Sequence, residues 1–238
     1  MIRDGHILSA FDRDLETVQA LMMKMGGLVE VATLDAARAL ETRDEELARL
    51  VRDGDAVIDA LEAQINDEVA RIIALRAPTA GDLRTVLTVL KIAGSLERMG
   101  DYAKNIAKRA SVLATFTRIE GTSGTVRRMA KQVEVMLKDA LDAFIRRDVA
   151  LAADVRSRDS EVDQIYNSLF RVLLTHMLED PRNITASMHL HFIAKNIERM
   201  GDHTTTIAEQ VIYLVTGEMP GEARPKEDRT PFVASPEE

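Results

Sequence analysis

The segment Leu96-Glu97-Arg98-Met99-Gly100-Asp101 returns later in the chain as Ile197-Glu198-Arg199-Met200-Gly201-Asp202. A repeat constrains a fold more tightly than a single motif does, because each copy must form the same unit and the copies must pack on one another. The likeness runs well beyond these residues. Arg43-Asp44 matches Arg147-Asp148, Leu47-Ala48 matches Leu151-Ala152, Val51-Arg52 matches Val155-Arg156, and Asp55 and Asp59 match Asp159 and Asp163. Upstream, Met25, Glu30 and Asp35-Ala36 match Met129, Glu134 and Asp139-Ala140. The offset is constant through these upstream matches and shrinks by three before the Glu-Arg-Met-Gly-Asp segment, so an indel lies between, near Pro78 and Pro181. The chain is a tandem duplication of roughly one hundred residues, the size of one small domain.

Each copy reads as three helices. In the first, they cover residues 7–41, then run from a turn at Thr42-Arg43-Asp44 to residue 76, then span 82–115 after a break at Ala77-Pro78-Thr79-Ala80-Gly81. Val86, Leu90, Ala93, Leu96, Gly100, Ala103 and Ala107 recur at three- and four-residue steps, the stripe of an amphipathic helix. The second copy reads as helices over 124–146, 148–179 and 183–216, with Asn183 as the N-cap after Pro181. Hydrophobic residues make up 46% of the chain but aromatics only 4%, so small aliphatic side chains and methionines such as Met22, Met23 and Met25 must fill the core. Of six prolines, four (Pro220, Pro225, Pro231, Pro236) lie close to the C-terminus, leaving the body nearly free of helix breakers. The expected fold class is all-α: two tandem three-helix bundles of long antiparallel helices, each helix about 45 Å long. The first bundle is expected over residues 1–116, the second over 117–216, and a disordered tail over 217–238.

Several chemistries are excluded. With no cysteine there is no disulfide, thiolate zinc site or cysteine nucleophile. A net charge of -8 argues against a general nucleic-acid binder. No run of eighteen apolar residues exists, and residues 1–16 are too charged for a signal peptide, so a cytoplasmic location is expected. No phosphate-cradling Gly-x-x-x-x-Gly-Lys loop or nucleophile elbow is present, and no histidine follows a Glu by three residues as a ferritin-like di-iron site requires.

The remaining signal is acidic. Asp55/Asp59, Glu97/Asp101, Asp159/Asp163 and Glu198/Asp202 all stand at i,i+4 spacing, which stacks both carboxylates on one helix face. Like charges so placed repel, and opposing one pair to another across neighbouring helices compounds the cost, which a bound cation relieves. All-oxygen donors suit Mg²⁺, Mn²⁺, Ca²⁺ or ferric iron, and tolerate zinc. Gly100 and Gly201, beside these acids, allow close helix approach. Any one pair by itself reads better as a solvated helix face, and Arg52, Lys104 and Lys195 stand near enough in sequence to neutralise it. Both pairs are nonetheless kept in both copies, while neighbours such as Lys104 and Lys108 align with Thr205 and Glu209, and this joint retention favours metal sites. His189, His191 and His203 match Thr88, Leu90 and Tyr102, so a supporting or surface role is expected for them.

The doubled motif resembles that of the PhoU family of phosphate-signalling regulators, in which Glu-Arg-Met-Gly-Asp is followed by Asn-Ile-Ala. The first copy continues Tyr102-Ala103-Lys104-Asn105-Ile106-Ala107, and the second His203-Thr204-Thr205-Thr206-Ile207-Ala208. Pro78 to Asp82-Leu83-Arg84 and the opening His6 to Leu15 are also similar, so the resemblance covers about residues 6–216. It implies two symmetric three-helix bundles holding multinuclear iron or zinc clusters, with magnesium or manganese as alternatives. The first site would use Asp55, Asp59, Glu97 and Asp101, the second Asp159, Asp163, Glu198 and Asp202. Thr206 in place of the family's amide departs from the pattern and puts any supporting role of that amide in question in the second copy.

The resemblance also implies a regulatory, non-enzymatic role, with a homodimer as the expected assembly. Such proteins repress the phosphate-starvation response and limit uptake, linking the ATPase subunit of the phosphate ABC transporter to a sensor histidine kinase. The residues by themselves leave two competing readings: a carboxylate-bridged metalloenzyme such as a phosphohydrolase, or a structural bundle whose acids bind nothing. No general base beyond the acids is evident, which favours the adapter.

Overall fold

The computed structural model describes residues 2–221, with side chains from residue 10 onward. Of the expected disordered tail, residues 222–238 lie outside the described residues. Six α-helices follow in order: α1 (Ile2–Thr42), α2 (Glu45–Arg76), α3 (Ala80–Leu113), α4 (Thr122–Arg146), α5 (Val149–Glu179) and α6 (Ile184–Thr216). No strand occurs among the described residues, and no helix there is long and apolar enough to cross a membrane.

The repeated Arg-Asp pair makes the same turn twice. Arg43 and Arg147 take left-handed φ values of 58° and 53°. The following aspartate then caps the next helix: Asp44 accepts from the Leu47 amide at 2.9 Å, and Asp148 from the Leu151 amide at 3.0 Å. The cap satisfies an amide that the first turn would otherwise leave without a partner. At the later break the expectation needs correcting. Asn183 does hold the N-cap position of α6, but its backbone is helical and its side chain makes no cap; its amide group instead donates to the His176 carbonyl at 3.5 Å. The cap comes three residues earlier, where Asp180 accepts from the Arg182 amide at 2.9 Å and opens a short 3₁₀ turn (Pro181–Asn183) leading into α6.

Within each half the three helices pack on one another, and the halves join through α1 against α4 and α3 against α6. The core runs unbroken through both halves. The α3 stripe is buried as its spacing requires, apart from the half-buried Leu90, and Met22 and Met25 are fully enclosed. Tyr102 and His203, which occupy the same place in the two copies, meet at α3–α6 with ring centroids 5.8 Å apart. Both helix pairs that join the halves, α1 with α4 and α3 with α6, are pairs of counterparts, as in an isologous interface about a local twofold.

Candidate functional site

On α2 the Asp55/Asp59 pair looks across to Glu97 and Asp101 on α3, and on α5 the Asp159/Asp163 pair looks across to Glu198 and Asp202 on α6. Gly100 sets the first approach: a Cβ there would stand 3.1 Å from Ile58 Cδ1 and 3.6 Å from Asp55 Oδ1. Gly201 sets the second, 3.4 Å from Asp159 Oδ1 and 3.6 Å from Val162 Cγ1. In each half a missing side chain lets the α2 or α5 aspartate lie directly over the backbone of its partner helix.

Asp55, Asp159, Asp163 and Glu198 are each less than a tenth exposed, whereas Asp59, Glu97 and Asp101 stand nearer solvent. The charges feel one another. Glu198 is pushed up to about 7, chiefly by burial; Lys195 opposes the rise, and Asp202 and Asp163 add to it. Loss of hydration, then the neighbouring Asp55, raises the Asp59 carboxyl. Burial, then Asp101, does the same to Glu97. Glu62 adds to the shift of both and was not anticipated. Glu62 stands three residues after Asp59 on the same helix face, but the second copy has Tyr166 there, so the repeat gives it no support.

Positive charge reaches both clusters. Lys104 donates to Asp55 Oδ2 across the α2–α3 interface and lies 3.9 Å from Asp101. Arg98 lies 3.6 Å from Glu97. In the second cluster Lys195 holds Glu198 Oε1 at 2.9 Å while sitting 5.1 Å from the centre of the Tyr166 ring. Arg52 takes no part; it pairs with Ser111 and Glu45. The second copy has Thr205 where the first has Lys104, and its hydroxyl turns back to the Gly201 carbonyl.

Among the described residues no three carboxylates or histidines converge closely enough to share one ion. By donor chemistry the clusters still fit a hard cation. One buried oxygen in each, Asp55 Oδ1 and Glu198 Oε2, has no hydrogen-bond partner among the described residues, an arrangement that is costly unless a donor or a cation approaches. Lys104 and Lys195 occupy the other oxygens, so an ion must compete with them. The α6 histidines are engaged elsewhere: His189 with Arg109 and Phe116, His191 with Tyr166 and Phe170, and His203 with Tyr102.

Fold and site together define a duplicated helical bundle that presents one acidic cluster per half, each tied to a lysine. A PhoU domain is matched at residues 22–110 and again at 126–211. The phosphate-specific transport system accessory protein PhoU homolog of Rhizobium meliloti (strain 1021) is 45% identical, the match covering 97% of this chain and 98% of that protein. The homolog of the same name from Zymomonas mobilis is 47% identical, with 94% of each chain covered. The crystal structure of PhoU from Pseudomonas aeruginosa superposes with a TM-score of 0.84 at 41% identity, over 87% of this chain and all of that one. The phosphate transport system regulatory protein PhoU of Streptococcus pneumoniae gives 0.81 at 30% identity, over 89% and 99%. The chain belongs to the PhoU family.

Proposed function

We infer that this protein is a non-enzymatic regulator of phosphate transport, working as an accessory to the transport system. The observation that carries this reading is end-to-end similarity to proteins named as phosphate-specific transport system accessory proteins. At finer grain, it links the ATPase subunit of the phosphate ABC transporter to a phosphate-sensing histidine kinase. When phosphate is plentiful, that link represses the starvation response and uptake. The chain acts as a cytoplasmic homodimer.

The two acidic clusters take part as metal sites, for iron or zinc, with magnesium or manganese as alternatives. Asp55, Asp59, Glu97 and Asp101 would be drawn in around an ion in the first half, and Asp159, Asp163, Glu198 and Asp202 in the second, since the carboxylates as they stand do not converge on one point. A bound ion would supply positive charge that the buried carboxylates otherwise draw from lysine, stabilising the interface between α2 and α3 and between α5 and α6. The two orphaned buried oxygens support this part of the reading.

A pull-down of the tagged full chain with the transporter ATPase and the sensor kinase, at high and low phosphate, tests the adapter. Capture of both that changes with phosphate is the expected result. Capture of neither under either condition overturns the linkage. Turnover of phosphate esters by metal-loaded protein, abolished by Glu198→Ala, would overturn the non-enzymatic role.

A further inference from the structure

Because the chain is duplicated, each half serves as a control for the other. In the second half, the groove between α4 and α5 is bridged by polar side chains. Arg158 Nη2 donates to Asp139 Oδ2 at 2.6 Å, and its Nε lies 3.0 Å from Asp154. Gln132 donates to Glu161 at 2.8 Å. In the first half these bridges are gone. Leu28 stands where Gln132 does, Val57 for Glu161, Leu50 for Asp154 and Gly54 for Arg158. Asp35, the counterpart of Asp139, is the one polar member retained.

As a result the groove between α1 and α2 is open, a cleft of about 240 Å³ whose walls include Leu28, Val31, Asp35, Leu47, Leu50 and Ile58. Nothing lies within 4 Å of the place a Cβ on Gly54 would take. Val31 and Leu50, on facing walls of the cleft, are 57% and 53% exposed. Asp35 has no ion pair or side-chain hydrogen bond among the described residues. Apolar walls left in water, around a carboxylate whose twin is clamped by an arginine, describe half of an interface.

We propose that the α1–α2 groove docks a segment of a partner protein that presents one arginine flanked by apolar side chains, the arginine meeting Asp35 as Arg158 meets Asp139. Charge complementarity selects this occupant: the cleft offers a single carboxylate, and the chain as a whole carries a net charge of -8. Arg158 meets Asp139 through Nη2 alone and turns its Nε to Asp154, a partner the first half lacks at Leu50, so an incoming guanidinium has all its donors available for Asp35. An apolar helix face seated between two helices covers the exposed valine and leucines. The proposal goes beyond the regulatory reading and stands on the difference between the two halves, whichever partners the pull-down identifies.

The test uses the full chain and a fluorescein-labelled amphipathic helical peptide of leucine and alanine with one central arginine, titrated by fluorescence anisotropy. A second peptide carries glutamate in place of the arginine. The arginine peptide is expected to bind roughly tenfold tighter than the glutamate peptide. Gly54→Arg, which rebuilds the second half's clamp inside the first, is expected to weaken the arginine peptide by roughly tenfold. Asp35→Asn is expected to abolish the discrimination between the peptides. Both substitutions sit in open or half-exposed space, and an unchanged thermal midpoint confirms that the variants fold. Equal binding of the two peptides, binding of neither, or indifference to Gly54→Arg overturns the proposal. Each of these outcomes leaves the result with the intact transporter and kinase standing.

Discussion

Replacing Glu198 by glutamine isolates the electrostatic cost of the second cluster. In the folded chain burial lifts this carboxyl from 4.5 to about 7, even with Lys195 bound to it. Below the lower value Glu198 is protonated in both folded and unfolded chains and costs nothing. As pH rises through that interval the unfolded chain releases the proton and the folded chain retains it, so stability falls until the folded pKa is passed. A rise of this size corresponds to about 3 kcal/mol at pH 8. For a chain of this length, that is roughly 6–12 °C in the thermal midpoint. Glutamine keeps an oxygen for Lys195 to bind but never ionises. Melting followed by circular dichroism in chelator, from pH 5 to 8.5, should show the wild type losing this increment relative to Glu198→Gln. Subtracting one curve from the other removes the contributions of Asp59 and Glu97, whose carboxyls are raised in the same sense. Added zinc or manganese should flatten the wild-type curve. Parallel curves for the two proteins would refute the reasoning, since burial would then not be acting on Glu198.

Lys104→Met strands a buried Asp55 and should cost about 3 kcal/mol in urea melts with chelator, with part of the loss recovered on adding a divalent cation. Gly100→Ala pushes a methyl into Ile58 and should destabilise by about 1–2 kcal/mol. Gly201→Ala meets looser neighbours and gains helix propensity, so it should be nearly neutral by the same measurement. Asp44→Ala and Asp148→Ala should each cost about 1 kcal/mol, and the double variant about their sum, since the two caps lie in different halves.

The helices were legible because their spacing and their stops agree. The Arg-Asp turn, the break at Ala77-Pro78 and the near absence of other breakers place every helix within a few residues of its observed bounds. Asn183 stands at the start of α6 as read, but the 3₁₀ turn before it, capped by Asp180, already gives it a helical backbone, so its side chain has no cap to make. The acidic clusters were legible as pairs and as neighbours. Their internal state was not: Lys104 reaches across to another helix rather than along its own face, and i,i+3 reasoning weighs only Asp101, its weaker contact. Glu62 was missed because the repeat, so informative elsewhere, is broken at Tyr166. The open groove was invisible to motif reading, since it consists of residues that differ between copies.

The contact between Tyr102 and His203 is that of an isologous dimer enclosed in one polypeptide. Two separate but identical subunits must offer every surface away from their axis twice. Fusing them frees each lobe to diverge while the axis between them survives. A molecule built in this way can engage a protein once per chain and retain a different valency for whatever the two carboxylate clusters hold.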